Sequence, residues 1–511
     1  MTTRRVPVVD VFAGCGGLGE GFSLSPFELR LSIEKEHAPI KTLWLRSFVH
    51  QFAQEEVPED YYDYLAGRIP RDELCLRHPL EAREATLRCL QAELGGEEQD
   101  RSRAKSSIRK AVGRSRDWVL IGGPPCQAYS TIGRVKNKSL DYYDPDTDIR
   151  FDLYREYLEI IGTHWPSVFV FENVKGLLSS SRRNQSVFHR MLTDLADPAQ
   201  ALAPDGIRLP HSHTYRLYSL SSERQSLDEE YAPRRPNDFV VKAEHYGIPQ
   251  ARHRIIIVGV RSDIQKRPKP LQRLNEPVRA VEVLDGLPAL RSGVSTQDSP
   301  EAWVNTVKGI LNHSWWQRIP ERLQQRMIEV LENLEVPPSG RGSLRFLDAP
   351  SQCNYRPDWF EDERLSGTLN HETRSHRMDD LWRYLFAASF MESSTLPFRL
   401  RDFPGGLMPN HRNIYNASKS THFADRFSVV PRDTPSRTVV SHIQKDGHYY
   451  IHYDPTQCRS LTVREAARLQ TFPDNYFFEG NRTEQYSQVG NAVPPMLSTQ
   501  IANRVAELFE E

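Results

Sequence analysis

The chain has 511 residues, of which 38% are hydrophobic and 26% charged, and its formal net charge is -1. This length allows one large domain or two ordinary ones, and the balanced charge means that a nucleic-acid partner would have to bind a local basic patch. The lack of an apolar run of about 18 residues argues against a membrane helix or a membrane partner. Six cysteines without paired spacing predict a reducing, cytoplasmic setting.

The first half of the chain alternates strand and helix patterns. Residues 35–117 are charged and mostly helical in pattern, and 151–165 predicts a further helix. The apolar runs between them are nearly continuous, as in strands that are buried on both faces of a parallel sheet. The alternation predicts an α/β fold with a mostly parallel, doubly wound sheet. The predicted strands are 7–14, 27–34, 117–123, 167–174 and 254–260.

The composition changes after about residue 264. Residues 264–340 are rich in proline, arginine and tryptophan, and 341–435 are irregular, with scattered Arg, His and Asn. The sheet pattern does not return in this half, so a second, smaller domain is predicted.

The C-terminal part again shows regular patterns. Residues 460–472 predict a helix that Thr462 caps, with Glu465 three residues later. Residues 438–453 predict a hairpin around a glycine-containing turn. A turn at GNAVPP introduces a last helix within 488–509.

Glycines follow the first predicted strand at 14, 16, 17, 19 and 21. Glycines at this place let the backbone approach a ligand and open the N-terminus of a helix. Glu34 ends the next strand, where a carboxylate can bind ribose hydroxyls. A dinucleotide, or a nucleoside with an amino-acid tail, would suit such a turn. A tight turn that binds nothing is the alternative.

Cys126 follows Pro124 and Pro125, which fix two backbone angles in a loop after the strand 117–123. In open α/β sheets, ligands bind at this end of the strands. Most lone cysteines are small buried apolar residues, but Gln127 and Ser130 give this one polar surroundings. The pattern therefore favours a nucleophile.

Two further groups flank predicted strands. Glu172 comes directly after the apolar run SVFVF and is either solvated or placed for proton transfer. Arg252 and Arg254 alternate in QARHR, so they would share one face of an extended segment. A guanidinium there could bind a carbonyl oxygen, or it could pair with a carboxylate elsewhere in the fold.

These stretches together resemble the DNA (cytosine-5)-methyltransferase family. The signatures occur in order as DVFAGCGG, GGPPCQAYS, FENVKGLL, QARHR, RSLTVREAARLQTFP and GNAVPP. Each stretch alone is weak, but the ordered combination is specific. The resemblance implies a Rossmann-like class I methyltransferase sheet with a smaller, irregular target-recognition domain.

The resemblance also implies catalytic roles. Cys126 matches the family's nucleophile, which adds to C6 of a flipped-out cytosine. Glu172 matches the carboxylate that binds N3 and the exocyclic amine of the base. Arg254 matches the arginine that contacts O2, with Arg252 as its support.

The implied methyl donor is S-adenosyl-L-methionine, and no metal is expected. The faint cluster Cys75, His78 and Cys89 lacks the two close pairs that a structural zinc site needs. The family usually also shows an acidic residue near the adenine, shortly before the nucleophile strand. The matching cofactor residues are Asp10, Phe12, Ala13, Gly14, Gly16, Gly17, Leu18, Glu34, Pro124, Asn491 and Val493.

The same resemblance divides the chain by role. Residues 1–264 would form the catalytic domain, with a charged insertion at about 36–116. Residues 265–435 would recognise the target, and 436–511 would return to complete the catalytic domain. The residues expected to contact DNA are Gln127, Ser130, Arg374, Arg377 and Arg437.

The expected partner is double-stranded DNA, bound by a monomer, with restriction or defence-system proteins as further partners. A tRNA cytosine-5 methyltransferase stays open as an alternative, although that branch typically lacks a large recognition region. A catalytically silent DNA-binding relative is the other alternative, but it would be expected to have lost Cys126 or Glu172.

Overall fold

A computed structural model describes residues 5–24, 26–125, 150–179, 181–182, 185–207, 209, 213–221, 235–394, 396–410 and 427–510. The chain forms two compact units, and each is assembled from segments that are distant in sequence. The first unit comprises Met1–Val57, Cys75–Pro277 and Ala492–Glu511. The second comprises Pro58–Leu74 and Val278–Asn491. Part of the charged segment 36–116 thus belongs to the second unit.

The first unit is built on a mixed sheet in the order β3-β2-β1-β4-β5-β11-β8, with β9 beside β11. Neighbouring strands from β3 to β5 run parallel. The strands of this unit are β1 (Val6–Val11), β2 (Phe27–Glu34), β3 (Cys89–Gln91), β4 (Val119–Gly122), β5 (Val168–Val174), β6 (Ser181–Arg182), β7 (Gln185–Ser186), β8 (Tyr215–Ser219), β9 (Val240–Lys242), β10 (Gln250–Ala251) and β11 (His253–Arg261).

Helices connect most of these strands, as the alternating pattern predicts. Those of the first unit are α1 (Gly17–Ser23), α2 (His37–Val49), α5 (Pro79–Arg88), α6 (Glu98–Val112), α7 (Arg150–His164), α8 (Val187–Ala196), α9 (Pro198–Leu202) and α17 (Pro495–Ala506), numbered along the whole chain. The second unit holds α3 (Glu59–Leu65), and α4 (Arg71–Arg77) lies where the chain passes back to the first unit.

The predicted mostly parallel α/β sheet is confirmed, with one difference. The apolar run at 254–260 was expected to lie in a parallel strand, but β11 runs antiparallel to β5, β8 and β9. Strands buried in either arrangement carry continuous apolar residues, so composition does not give their direction. The sheet is therefore Rossmann-like and doubly wound, with an antiparallel strand beside β5.

The order of the strands switches sides at β1, because β2 and β3 extend the sheet to one side and β4 and β5 extend it to the other. Ligands of open α/β sheets bind outside the carboxyl ends of the strands at such a switch point. The glycine turn, Glu34 and the loop after β4 all follow carboxyl ends. Since β11 is antiparallel, its first residues reach the same edge.

The regular elements of the second unit are mainly helices, and its core includes Trp303, Trp315 and Trp316. Its strands are short: β12 (Gly293–Val294), β13 (Gly342–Leu347), β14 (Thr368–Glu372), β15 (Ser375–His376) and β16 (Ser436–Arg437). Its remaining helices are α10 (Val281–Leu284), α11 (Pro300–Lys308), α12 (Glu321–Glu332), α13 (Pro357–Phe360), α14 (Met378–Ser393), α15 (Val463–Leu469) and α16 (Arg482–Asn491).

The predicted cap of α15 is confirmed. The Thr462 hydroxyl accepts from the Glu465 amide at 3.2 Å, and the Glu465 carboxylate accepts from the Thr462 amide at 2.7 Å. The same carboxylate pairs with Arg459 at 2.6 Å in the interior. The capping box is therefore also part of a buried ionic cluster.

The predicted hairpin at 438–453 is wrong. Ser441–Gln444 form a 3₁₀ turn, and Ile451 bridges to Val429 and Ser460 instead of to a strand before the turn. The β-forming residues of this segment therefore pair with chain that lies outside it.

In the part of the chain that the structure describes, no helix is long and apolar enough to span a membrane.

Candidate active site

The glycine turn after β1 has an unusual backbone. Phe12, Gly14 and Gly16 have φ values of 56°, 56° and 90°, in the left-handed region. Glycine adopts such angles freely, whereas for Phe12 they are strained, as is common at functional sites. A side chain added at Gly14 would meet nothing within 4 Å. The turn thus leaves open space above its own backbone.

Glu34, at the end of β2, is joined to this turn. Its Oε2 atom accepts the Gly14 amide at 2.8 Å, and its Oε1 atom accepts the amides of Lys35 and Glu36 at 2.9 Å each. The Ala13 amide also donates to the Ile33 carbonyl. The carboxylate is therefore held beside the turn by backbone donors.

Asp10 lies beneath the turn and is 1% exposed. Neither carboxylate oxygen has a well-formed hydrogen bond among the described residues. Burial, and secondly the charge of Glu34, raise the pKa of Asp10 well above its ordinary value, and the Gly19 amide opposes them. A Cβ at Gly19 would lie 2.9 Å from Asp10 Oδ2, so a larger residue there would have to displace this carboxylate.

The predicted C-terminal cofactor residues fall in different units. Val493 is buried in the first unit, just before α17, and Asn491 is the exposed last residue of α16 in the second. Helix α17 packs against α1. The Ser498 hydroxyl donates to the Leu18 carbonyl, and a Cβ at Gly21 would lie 2.3 Å from the Thr499 nitrogen.

An open groove of about 550 Å³ follows the ends of β2 and β3. The sequence did not reveal it, because β3 has only three residues and gives no strand pattern. Three of its side chains, Glu36, Glu93 and Asp100, are acidic. The groove is lined by Lys35, Glu36, Gln91, Ala92, Glu93, Asp100 and Arg103.

The loop after β4 begins with a close approach of backbones. A Cβ at Gly122 would lie 2.0 Å from the Val11 carbonyl oxygen, and one at Gly123 would lie 1.9 Å from that of Glu172. Because backbone atoms cannot move aside cheaply, both positions require glycine. Pairing with β1 and β5 thus fixes where this loop leaves the sheet.

Asn173 attaches the same loop to the end of β5. Its side-chain amide donates to the Pro124 carbonyl at 3.3 Å, and its Oδ1 atom accepts the Val174 amide at 2.7 Å. Sequence reasoning missed this residue, although it lies in FENV beside Glu172. The predicted residues Cys126, Gln127 and Ser130 lie outside the described residues.

Glu172 and Arg254 come together at the end of β5 and the start of β11. Arg254 Nε lies 3.0 Å from Glu172 Oε1, and their side chains are 13% and 18% exposed. Burial lowers the pKa of Arg254, and Glu172 opposes this shift. The guanidinium also donates to the His253 carbonyl at 2.9 Å.

Arg252 differs from its neighbour because it is 1% exposed. Its backbone amide donates to the Gln250 carbonyl, and its carbonyl accepts the Ala243 amide. This burial favours the supporting role over contact with a substrate.

The arginines expected to contact DNA have different environments. Arg374 is 9% exposed, donates to the Ile443 carbonyl and stacks over the Tyr486 ring at 4.2 Å. Its guanidinium is thus engaged in the interior, which argues against direct phosphate contact. The Arg377 side chain is 77% exposed at the N-terminus of α14, and Arg437 is also exposed.

The sheet edge therefore combines two kinds of group. A glycine turn with a carboxylate can hold a nucleoside-like ligand. A carboxylate beside a guanidinium can bind a planar ring that presents both donors and acceptors. The sheet order, the turn and this pair together define a class I methyltransferase.

Comparison with known proteins identifies the family. The sequence model for C-5 cytosine-specific DNA methylase matches residues 98–198 and 237–507, well over half of the chain. The protein belongs to this family and is an enzyme of the DNA (cytosine-5)-methyltransferase class.

Similar proteins align over almost the whole chain. Type II methyltransferase M.Bpa9945I of Bacillus paralicheniformis is 30% identical, over 98% of this chain and 99% of its own. Type II methyltransferase M.AgeI of Thalassovita gelatinovora is 25% identical, over 97% and 98%. DNA (cytosine-5-)-methyltransferase M.ApeKI of Aeropyrum pernix is 25% identical, over 99% of both chains.

Proposed function

We propose that this enzyme transfers a methyl group from S-adenosyl-L-methionine to C5 of cytosine within a specific short sequence of double-stranded DNA. The observation that carries the proposal is the Glu172–Arg254 pair, 3.0 Å apart, beside the start of the loop that leads to Cys126. A carboxylate can accept from the exocyclic amine and share a proton with N3, and a guanidinium can donate to O2.

Cys126 is the proposed nucleophile. Its thiolate forms a bond to C6, and the ring electrons that this addition displaces make C5 nucleophilic. Glu172 stabilises the charge that develops at N3, and Arg254 stabilises that at O2. S-adenosyl-L-methionine, when bound, would supply an electrophilic methyl group to C5 and would leave as S-adenosyl-L-homocysteine. A solvent base then takes the C5 proton, and the electrons of that C–H bond re-form the C5–C6 double bond as the Cys126 thiolate leaves C6.

The target base must leave the duplex for this chemistry. Flipping it out costs on the order of a few kcal/mol of lost stacking and pairing. Cys126 needs a fixed position to meet C6, and the hydrogen bond from Asn173 to Pro124 supports that requirement. Arg377 and Arg437 are proposed to contact phosphates, because their side chains are exposed.

The cofactor proposal is supported by the turn after β1. Its open space at Gly14 and the adjoining carboxylate of Glu34 suit an amino-acid tail and a ribose, respectively. The buried oxygens of Asp10 have no well-formed hydrogen bond among the described residues. They could therefore accept hydrogen bonds beneath the same turn. The groove after β2 and β3 would take the adenine.

We also propose that the enzyme protects host DNA against a matching nuclease, acting as a monomer on DNA. Support comes from relatives named type II methyltransferases that cover nearly the whole chain. The residues between 265 and 435 are proposed to read the target sequence.

The test is to express the chain in a bacterial host without cytosine methylation and to map 5-methylcytosine in its DNA and RNA. Cys126→Ala is the inactive variant. Cys75→Ala, in α4, is the matched cysteine control. We expect methylation at one recurring short DNA sequence with the wild type and with Cys75→Ala, and none with Cys126→Ala.

Other outcomes would overturn parts of the proposal. Methylated RNA with unmethylated DNA would reject the substrate. DNA methylation that persists in Cys126→Ala would reject the nucleophile. A folded wild type that leaves DNA unmethylated would reject the hypothesis that this chain methylates DNA without a partner.

A further inference from the structure

Glu20 is a buried carboxylate that the proposed reaction does not use. It lies in α1 and is 3% exposed. Both of its oxygens pair with the Arg46 guanidinium in α2, including Arg46 Nε to Oε2 at 3.2 Å. His50 Nε2 lies 2.9 Å from Oε2. Burying such charges is costly, and apolar residues often stabilise a core equally well, so stability alone does not explain the cluster.

The location of the cluster suggests its use. Helix α1 has only seven residues, too few to be stable alone, so tertiary contacts determine its position. It begins directly after the glycine turn, and α2 begins three residues after Glu34. The Glu20–Arg46–His50 cluster thus joins the helix that follows the turn to the helix that follows the ribose carboxylate.

Other close contacts of α1 are with the sheet and with α17. Gly19 lies against Asp10 in β1, and Gly21 lies against the Ser498 and Thr499 backbone in α17. Glu20 in α1 supplies polar contacts to Arg46 in α2 and to His50 directly after it. A bidentate carboxylate–guanidinium pair is directional, whereas apolar packing is not.

We propose that Glu20, Arg46 and His50 are positioning residues for S-adenosyl-L-methionine, which hold the turn Phe12–Gly16 in register with Glu34. The inference rests on the proposed function. The three side chains act through α1 and α2 and touch no reacting atom. Removing the ion pair should loosen cofactor binding even where the fold is fully stable.

The test separates positioning from stability. Glu20→Leu leaves Arg46 buried without its partner, and Glu20→Leu/Arg46→Met replaces the pair by apolar side chains. Each protein is examined by scanning calorimetry for Tm and by titration calorimetry for the Kd of S-adenosyl-L-methionine without DNA. We expect the single variant to lose Tm and the double variant to regain it. The Kd should stay at least about tenfold raised in both, as misplaced binding groups would cause.

Matched variants complete the test. Arg291→Met/Asp298→Leu removes an ion pair of 2.7 Å in the second unit and should leave the Kd unchanged. Arg46→Lys keeps the positive charge but loses the planar guanidinium that makes two hydrogen bonds to Glu20. It should therefore raise the Kd for S-adenosyl-L-methionine while Tm stays near that of the wild type. It also covers the case in which the double variant does not fold.

Two results would overturn the inference. One is a Kd that recovers together with Tm in the double variant, and the other is an Arg46→Lys protein that binds the cofactor like the wild type. A wild-type chain that does not bind S-adenosyl-L-methionine would reject the proposed function itself, which distinguishes the two failures.

Discussion

Arg254 and Glu172 neutralise each other across two neighbouring strands, with Arg254 Nε 3.0 Å from Glu172 Oε1. In the antiparallel register of β5 and β11, Arg254 lies opposite Val174 and Glu172 opposite Ile256. The two side chains are therefore diagonal neighbours, a spacing that long side chains span. Because both are largely buried, the pair affects stability as well as the proposed chemistry.

Two substitutions of Glu172 should separate these effects. Glu172→Gln keeps the shape but cannot share a proton with N3, so we expect single-turnover methylation to fall by about 10²–10⁴-fold. Glu172→Ala also leaves Arg254 buried without its counter-charge and should cost about 3–5 kcal/mol in urea unfolding. Methylation by Glu172→Gln within a few fold of the wild type would contradict the assigned role.

Asn173→Asp tests how the loop toward Cys126 is held. The substitution preserves size and the acceptor for the Val174 amide, but places an acceptor against the Pro124 carbonyl in place of a donor. We expect a stability loss of about 1–3 kcal/mol and a single-turnover rate reduced by about tenfold or more. The Kd for S-adenosyl-L-methionine serves as the control and should not change. An unaltered rate would show that this hydrogen bond does not position the loop.

The sheet edge could be predicted from the sequence because the end of each apolar run indicates where a strand ends. SVFVFENV and the glycines after 7–11 and 117–121 show where apolar runs stop and polar groups begin. Since carboxyl ends of parallel strands share an edge, Glu34, Glu172 and the loop after β4 could be brought together without coordinates.

The Glu172–Arg254 contact could not be derived in this way. A parallel β11 over the same span would have put Arg254 opposite Val168 at the far edge, about 13 Å along the strand from Glu172 at roughly 3.3 Å per residue. Only the antiparallel direction, which composition does not encode, brings the start of β11 to the end of β5. Likewise, the burial of Arg374 depends on Tyr486, more than a hundred residues later.

The Glu20 carboxylate should make stability depend on pH in acid. Burial raises its pKa, but Arg46 and His50 outweigh burial and lower the pKa from 4.5 to about 2. A carboxyl group with a lowered pKa in the folded state stabilises the fold above its unfolded pKa, and this stabilisation is lost as pH falls through the folded pKa. The window is therefore pH 4.5 down to about 2.

Glu20→Gln should lack this part of the pH dependence. Between neutral pH and the bottom of the window, the wild type should lose up to about 3 kcal/mol more than the variant. Urea unfolding of both proteins at pH 7, 4 and 3 measures the difference. Other carboxylates titrate alike in the two proteins and cancel. Parallel curves would show that Glu20 is not held as a charged partner of Arg46.

Arg377 and Arg374 form a matched pair for testing DNA contact, since they are three residues apart but differ in exposure. The Arg377 side chain is 77% exposed, so Arg377→Ala should weaken DNA binding at all sequences and reduce the salt slope by about one. Arg374 is buried over Tyr486, so Arg374→Ala should lower Tm and leave the slope unchanged.

Binding titrations across a range of salt concentrations, with calorimetry on the same samples, measure both quantities. A flattened slope in Arg374→Ala with an unchanged Tm would reverse the assignment, because only a side chain that neutralises a phosphate can alter counterion release. An unchanged salt slope in Arg377→Ala would indicate that Arg377 does not contact a phosphate, and Arg437 would be substituted next. Exposure, rather than residue type, is thus the property from which we predict that Arg377, and not Arg374, contacts DNA.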